Sequence, residues 1–337
     1  MTKHSRTILA LAAACAAAMP LASQAQPAPT VMRVSHQLPP NHHLSSVVED
    51  WAKDIETRTK GAIDVQIFGS SQLFKPAENF PAVAKGDAEC AFSVNFQWGR
   101  TIPEMNATLR PFAVTDVGTM RKWAGSGPAD QLEQLLEKKG VRNVTWLFIT
   151  NTAAFTSKGR FLKAPDDFRG VKIRGLNPLV DSGLVAMKAA PSSMAGGEVY
   201  QALQTGVLDA GLTDVSAVYS RKYYEVQDHA VVLPLFSVFL HGYCNPRWLD
   251  RLDAAQREAI GAAGRTAAEA SIVKAQAEAA GAPALLRDKG MKVHVSTPEE
   301  IQTFKAVMLP AFDAAFDKAA PGTATALLES IRALGGN

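Results

Sequence analysis

The sequence predicts an α/β protein of two lobes, each on its own sheet, joined by strands that cross between them. Three observations carry this. A strand, a helix and a strand follow one another near the start of the chain, the βαβ pattern of α/β proteins. A helix–glycine–strand pattern then recurs 120 positions later. Finally, two strongly β-forming runs, residues 144–149 and 231–239, lie where the chain would pass from one lobe to the other and back. Two such crossings imply a hinge rather than a single flexible tether.

The elements follow in order. Residues 31–35 alternate as Val-Met-Arg-Val-Ser and read as the first strand. Residues 39–43 form a loop, and 44–59 place Val47, Val48, Trp51, Ala52 and Ile55 at helical spacing. Gly61 ends that helix and the strand Ile63–Phe68 follows. Residues 79–92 end a helix, turn at Gly86 and enter a strand. Residues 200–212 repeat this: Phe80 matches Tyr200, Ala82 matches Ala202, Val83 matches Leu203 and Gly86 matches Gly206. The glycine supplies the left-handed helix end that precedes the strand. Residues 252–286 are alanine-rich and read as one long helix, or as two broken near Gly281-Ala282-Pro283. A late strand at 291–295 and helices at 298–316 and Ala324–Leu334 close the chain, with Thr297-Pro298-Glu299-Glu300 as a start signal. The expected organisation is a signal peptide over 1–25, a first lobe of 26–151 with 239–278, and a second of 152–238 with 279–337.

The 337 residues suit one large or two medium domains, and 47% hydrophobic content is enough for a sizeable core. Lys3 and Arg6 precede an apolar run over 7–18. Pro20 breaks it, and Ser23-Gln24-Ala25 offers a small-residue cleavage site, so residues 1–25 read as an export signal. The run is shorter than the roughly 20 residues of a spanning helix. Cys15 as a lipoprotein site is disfavoured, because Ala12-Ala13-Ala14 lacks a leucine. The formal charge is +3; of 35 basic residues, removing Lys3 and Arg6 leaves 33 against 32 acidic. No basic tract argues for nucleic acid. Cys90 and Cys244 remain after cleavage. Export permits a disulfide, but their separation fits no zinc pattern and two buried free thiols are expected.

Arg174 ends the short apolar strand of Gly170-Val171-Lys172-Ile173-Arg174. Ligands in open α/β folds bind beyond the carboxyl ends of strands, and a guanidinium there matches a carboxylate with two parallel hydrogen bonds. On spacing alone a surface arginine is the commoner reading. Adjacent His42 and His43 point in different directions and have no third ligand at sensible spacing, which argues against a metal. Tyr219, Tyr223 and Tyr224 cluster on a predicted helix and read as core and surface. No nucleophile elbow, Walker loop, dinucleotide fingerprint or paired-cysteine site is visible.

The Arg174 strand, with the segment Glu198-Val199-Tyr200 and its helix–glycine–strand sequel, resembles the solute receptors of TRAP transporters, the DctP-type extracytoplasmic binding proteins. Phe68-Gly69-Ser70-Ser71-Gln72-Leu73, Leu109-Arg110-Pro111-Phe112, Ala190-Pro191 and Tyr224-Glu225-Val226 extend the likeness over nearly the whole chain after the signal. The resemblance implies a periplasmic binding protein of the Venus-flytrap kind that closes on a small organic acid. Arg174 would grip the carboxylate, and small and large integral membrane subunits of a permease would receive the ligand. It implies no cofactor and no catalysis, and a monomer is expected. Asn41, Glu78, Asn95 and Gln97 fall in the matching first-lobe loops, and Thr213 in the second lobe. Asp214 either meets a ligand amino or hydroxyl group or caps a helix, with capping favoured. Phe155 and Trp98 offer rings for a ligand, with core packing the commoner fate. Three departures point to an altered pocket. The family's second basic residue falls near Ala154, its frequent asparagine is Thr213, and its aromatic cover is Gly196. A sensory receptor for an organic anion, or a secreted enzyme on the same scaffold, are the competing readings.

Overall fold

The structure is a computed structural model and describes residues 28–114 and 116–335. The expected signal peptide, 1–25, lies outside them. The chain runs β1 (Thr30–Ser35), α1 (His43–Arg58), β2 (Ile63–Phe68), α2 (Asn79–Lys85), β3 (Cys90–Val94), α3 (Val117–Arg121), α4 (Gly127–Lys138) and β4 (Arg142–Thr150). It continues through β5 (Ala153–Ser157), β6 (Lys172–Gly175), α5 (Ser182–Ala186), β7 (Ala190–Ser193), α6 (Val199–Gln204), β8 (Ala210–Asp214), α7 (Val215–Ser220) and β9 (His229–Leu233). Last come β10 (Val238–Cys244), α8 (Pro246–Leu249), α9 (Ala254–Asp288), β11 (Lys292–Val295), α10 (Pro298–Ala319) and α11 (Ala324–Leu334).

Two sheets form, in the orders β2-β1-β3-β10-β4 and β11-β9-β5-β8-β6-β7. They are two copies of one plan. β1, β2 and β3 are parallel, as are β6, β7 and β8. Next to each trio lies one antiparallel strand, β10 in the first sheet and β5 in the second. The 120-residue repeat holds at the level of elements: α2 and α6 both precede a left-handed glycine, Gly86 at φ 98° and Gly206 at φ 74°. At such φ values a side chain is strained, which is why glycine stands there.

The crossings differ in detail from the expectation. Neither β-forming run is a single strand reaching across. β4 ends at Thr150 in the first sheet and β5 begins at Ala153 in the second, so the first crossing is the pair 151–152. The run 231–239 is split likewise: β9 ends at Leu233 in the second sheet, and β10 starts at Val238 in the first. Pro234 interrupts the run, and its missing N–H cannot serve a ladder. α9 is the third link. It starts from the capping box of Asp253 and Gln256, packs on β4 and α1, and ends beside β11. It stays helical through Pro283, because Ala282 and Leu286 beyond and beside it are buried in the second core.

Two expectations are corrected. Cys90 and Cys244 form a disulfide rather than free thiols. They face each other in register at the ends of β3 and β10, so strand pairing brings the sulfurs together. The C-terminal segment does not lie wholly with the second half: α10 packs on α5, while α11 packs on α4 and the 103–109 turn of the first half.

Candidate ligand-binding site

A cavity of about 40 Å³ lies between the two halves, beside both crossings. On the scale where one water needs roughly 10–15 Å³, it has room for a compact molecule. It opens toward two larger clefts of about 440 and 420 Å³ at the lobe boundary. The carboxyl ends of β3, β6 and β8 point into it through Val94, Arg174 and Leu176, and Leu212 to Asp214. This is where the strand-end rule places ligands in open α/β folds.

Arg174 is 3% exposed. Its Nη1 donates to Leu212 O at 2.7 Å, and Nε and Nη2 donate to Met194 O at 3.4 and 3.3 Å. A guanidinium carries five N–H donors, so these bonds hold the group while leaving donors for a ligand. Burial and the like charge of Arg221 disfavour its charged form, partly offset by Tyr223, Asp214 and Asp181; an arginine nonetheless stays protonated. The guanidinium also lies 5.9 Å from the Phe96 ring centroid, across the lobe boundary. The loop behind it is fixed by Asp181, which accepts from Leu176 N and Ser193 Oγ, each at 2.7 Å. A Cβ at Gly175 would sit 2.1 Å from Asp181 Oδ2, so the close approach requires glycine there.

Arg221 is the residue that sequence reasoning missed. It follows α7 and lines both the inner cavity and the outer cleft. A Cβ on Gly196 would lie 2.2 Å from its Nη1. The absent aromatic cover at Gly196 is therefore the space the Arg221 guanidinium occupies. No spacing in the sequence signals this; the bare Gly196-Gly197 pair is the only trace. Among the described residues, neither Arg174 nor Arg221 is in a salt bridge with a carboxylate.

Asp214 takes the favoured role of helix cap, at the edge of the cavity. It caps α7 by accepting from Ala217 N at 2.8 Å, and it borders the cavity. Burial opposes its ionisation, but Arg221 and the Ser216 hydroxyl favour the carboxylate and hold it below the usual range. His42, also a wall residue, is pushed down to about 3 chiefly by burial and is neutral at pH 7. The charge facing Asp214 there is thus Arg221.

The structure separates the remaining expected residues. Thr213 lines the cavity. Asn95 does not: its amide donates to Met105 O and Thr108 Oγ1 and accepts from Phe239 N, so it braces the strand end. Gln97 lines the outer cleft and donates to Gln37 Oε1 at 2.9 Å, leaving Gln37 to face the cavity. Asn41 is exposed and donates to Ser220 O, a tie between the halves. Glu78 is exposed and accepts from Lys75 N ahead of α2. Phe155 is fully buried against Phe168 and Phe304, 4.8 and 5.9 Å away, and is core. Trp98 packs on Phe80 and Tyr243 in the same way. Near the missing second basic residue, Ala153 lines the cavity while Ala154 is buried in the second core. Asn177 closes the ring around the site, donating across the boundary to Phe96 O and Asn106 Oδ1, both at 2.8 Å.

Comparison with known proteins identifies the relatives of this chain. The profile of bacterial extracellular solute-binding proteins, family 7, matches residues 34–319. The C4-dicarboxylate-binding periplasmic protein DctP of Rhodobacter capsulatus is 28% identical over 317 residues, covering 91% of this chain and 93% of that one. A solute-binding protein of Albidiferax ferrireducens is 29% identical over 202 residues, 58% of this chain and 59% of the relative. A TRAP periplasmic solute-binding protein from Desulfovibrio salexigens, solved with orotic acid, superposes with a TM-score of 0.85 at 21% identity, covering 90% and 98% of the two chains. The two-sheet α/β architecture is that of these receptors, and with a profile match over most of its length the chain belongs to family 7 of the bacterial extracellular solute-binding proteins.

Proposed function

We propose that this protein is the periplasmic receptor of a TRAP transporter and captures a small organic acid for the small and large membrane subunits of its permease. One observation carries the reading. Arg174 is buried at a strand end in a cavity between two halves, held by main-chain carbonyls and, among the described residues, in salt-bridge contact with no carboxylate. A buried cation without an anionic partner is costly unless an anion completes it. A ligand carboxylate does so through charge-assisted hydrogen bonds, and closing the halves excludes water and strengthens the pair. Thr213, Arg221 and Asp214 share the wall and set specificity; Gln97 acts through Gln37. The moving bodies are 26–151 with 239–278 and 152–238 with the segment from 279, turning about 151–152 and 234–237, with α11 travelling with the first. The receptor works as a monomer, does no chemistry and needs no cofactor; residues 1–25 direct its export.

The test is calorimetry on protein freed of ligand by unfolding and refolding, after mass spectrometry has named the acid that co-purifies. Arg174→Ala is expected to weaken binding of that acid at least about a hundredfold, or ~2.7 kcal/mol. The same change strands the carbonyls of Leu212 and Met194, so it also lowers the melting temperature without ligand. Arg174→Lys keeps the charge but not the fork, and is expected to fall between. Wild-type affinity in both variants would remove the basis of the reading.

A further inference from the structure

The inner cavity has a charge count and a wall composition that narrow the ligand, given the receptor reading above. Its charged groups are two cations, Arg174 and Arg221, and one anion, Asp214. His42 is neutral at pH 7. Asp181 lies behind Arg174, outside the lining, with its carboxylate taken up by Leu176 N and Ser193 Oγ; among the lining groups the closed site is therefore short of one negative charge. A monoanion neutralises it, whereas a dianion leaves an uncompensated charge in a buried space, which is strongly unfavourable.

The walls exclude a second class. Leu38, Val94, Phe96, Ile149, Phe236 and Val238 line it beside the charged groups. Several polar atoms of the lining are committed to the protein, which leaves Thr213, the Gln37 amide nitrogen and the two guanidinium groups to meet a ligand. Thr150 Oγ1 donates to Thr152 O and accepts from Thr152 N. Gln37 Oε1 accepts from Gln97, and His42 Nδ1 accepts from Leu44 N. A sugar acid would bring several hydroxyls with few partners, and each buried unpaired hydroxyl weakens binding.

We infer that the site takes a compact monocarboxylate with an apolar body, a short branched acid or its 2-oxo analogue, in preference to dicarboxylates and sugar acids. Arg174 and Arg221 share the carboxylate end, Asp214 sets the net charge, and the six apolar residues enclose the hydrocarbon. The position of Arg221 rests on Gly196, so the missing side chain there is part of this selectivity.

The experiment is a calorimetric panel on refolded, ligand-free protein with 3-methylbutanoate, 3-methyl-2-oxobutanoate, succinate and D-glucuronate. Expected is at least tenfold tighter binding of one of the two branched monocarboxylates than of succinate or glucuronate. Asp214→Asn raises the site's charge by one while keeping a good helix cap. It is expected to narrow the gap between monocarboxylate and succinate at least tenfold. Succinate or glucuronate binding more tightly than both monocarboxylates in the wild type would overturn the monoanion inference and leave the receptor reading standing. An unchanged gap in Asp214→Asn would overturn the charge count as its basis. Failure of all four acids, extended to a wider set of organic acids, would sink the receptor reading itself.

Discussion

Replacing Gly196 by alanine would put a Cβ 2.2 Å from Arg221 Nη1. The clash is with the free end of a flexible side chain, so Arg221 swings aside instead of the backbone moving. Binding of the native acid is expected to weaken about tenfold, ~1.4 kcal/mol. Stability should stay within about 0.5 kcal/mol, as for substitutions that disturb no core or cap. Calorimetry and a denaturant melt check both; equal affinity would mean Arg221 does not serve the ligand. This pair also shows what was legible at this scale. Arg174 could be read because it ends an apolar strand in a recognisable segment. Asn95 was misread, because a sequence shows that an amide is near a site but not that three protein partners already occupy it. Arg221 was unreadable, because its place depends on the side chain that Gly196 lacks, 25 positions away in the chain.

At the scale of elements, α9 lies so close to β4 that two of its glycines answer substitution in opposite senses. A Cβ on Gly264 would meet Val144 O at 2.4 Å, a backbone atom that cannot rotate away. Gly264→Ala must therefore push the helix off the sheet and is expected to destabilise by about 1–3 kcal/mol, the range of overpacked cores. At Gly261 the nearest atom is Arg265 Nη1 at 3.4 Å, the end of a mobile side chain. There alanine gains helix propensity and is expected to stabilise by about 0.5–1 kcal/mol. Urea titration of the two variants checks the pair, and the same sign in both would refute the packing argument. α9 itself was legible from its alanine-rich spacing, but not that it runs unbroken past Pro283. Its glycines were not, since a helix pattern does not say which turn touches another element. The β-forming runs taught a related lesson. Their composition revealed strands, but it cannot show where the chain changes sheets, which is just past the first run at 151–152 and within the second at Pro234.

For the molecule as a whole, the two-lobe plan was legible because one pattern recurs 120 residues apart, and the matching order of the two sheets is its consequence. The disulfide was not, because register decides it: Cys90 and Cys244 meet only once β3 and β10 pair. The whole-molecule prediction concerns acid. Burial pushes His36 down to about 4, and His42 and His241 down to about 3, and it lowers His43 as well. All four belong to the first half, next to β1, α1 and β10. In the unfolded chain each takes a proton near 6.5. Below that pH the unfolded state binds protons that the native state refuses. The stability is thus fully present above 6.5 and is lost progressively as pH falls toward the folded values. Asp181 and Glu133, raised by burial, work in the opposite direction. Counting His36, His42 and His241 alone, the loss by pH 5.5 is on the order of 4 kcal/mol. Denaturant midpoints measured at pH 7.5, 6.5 and 5.5 should fall mainly over the last step, and hydrogen exchange should rise first in β1, α1 and β10. A flat profile down to pH 5 would show that these imidazoles can be protonated in place. Because His42, a wall of the cavity, stays neutral in the folded state until far below pH 5.5, ligand should be lost in this acid step only as the protein unfolds, so titration of the native acid at pH 7.5 and 5.5 should show weaker binding together with, and not before, the loss of helix signal.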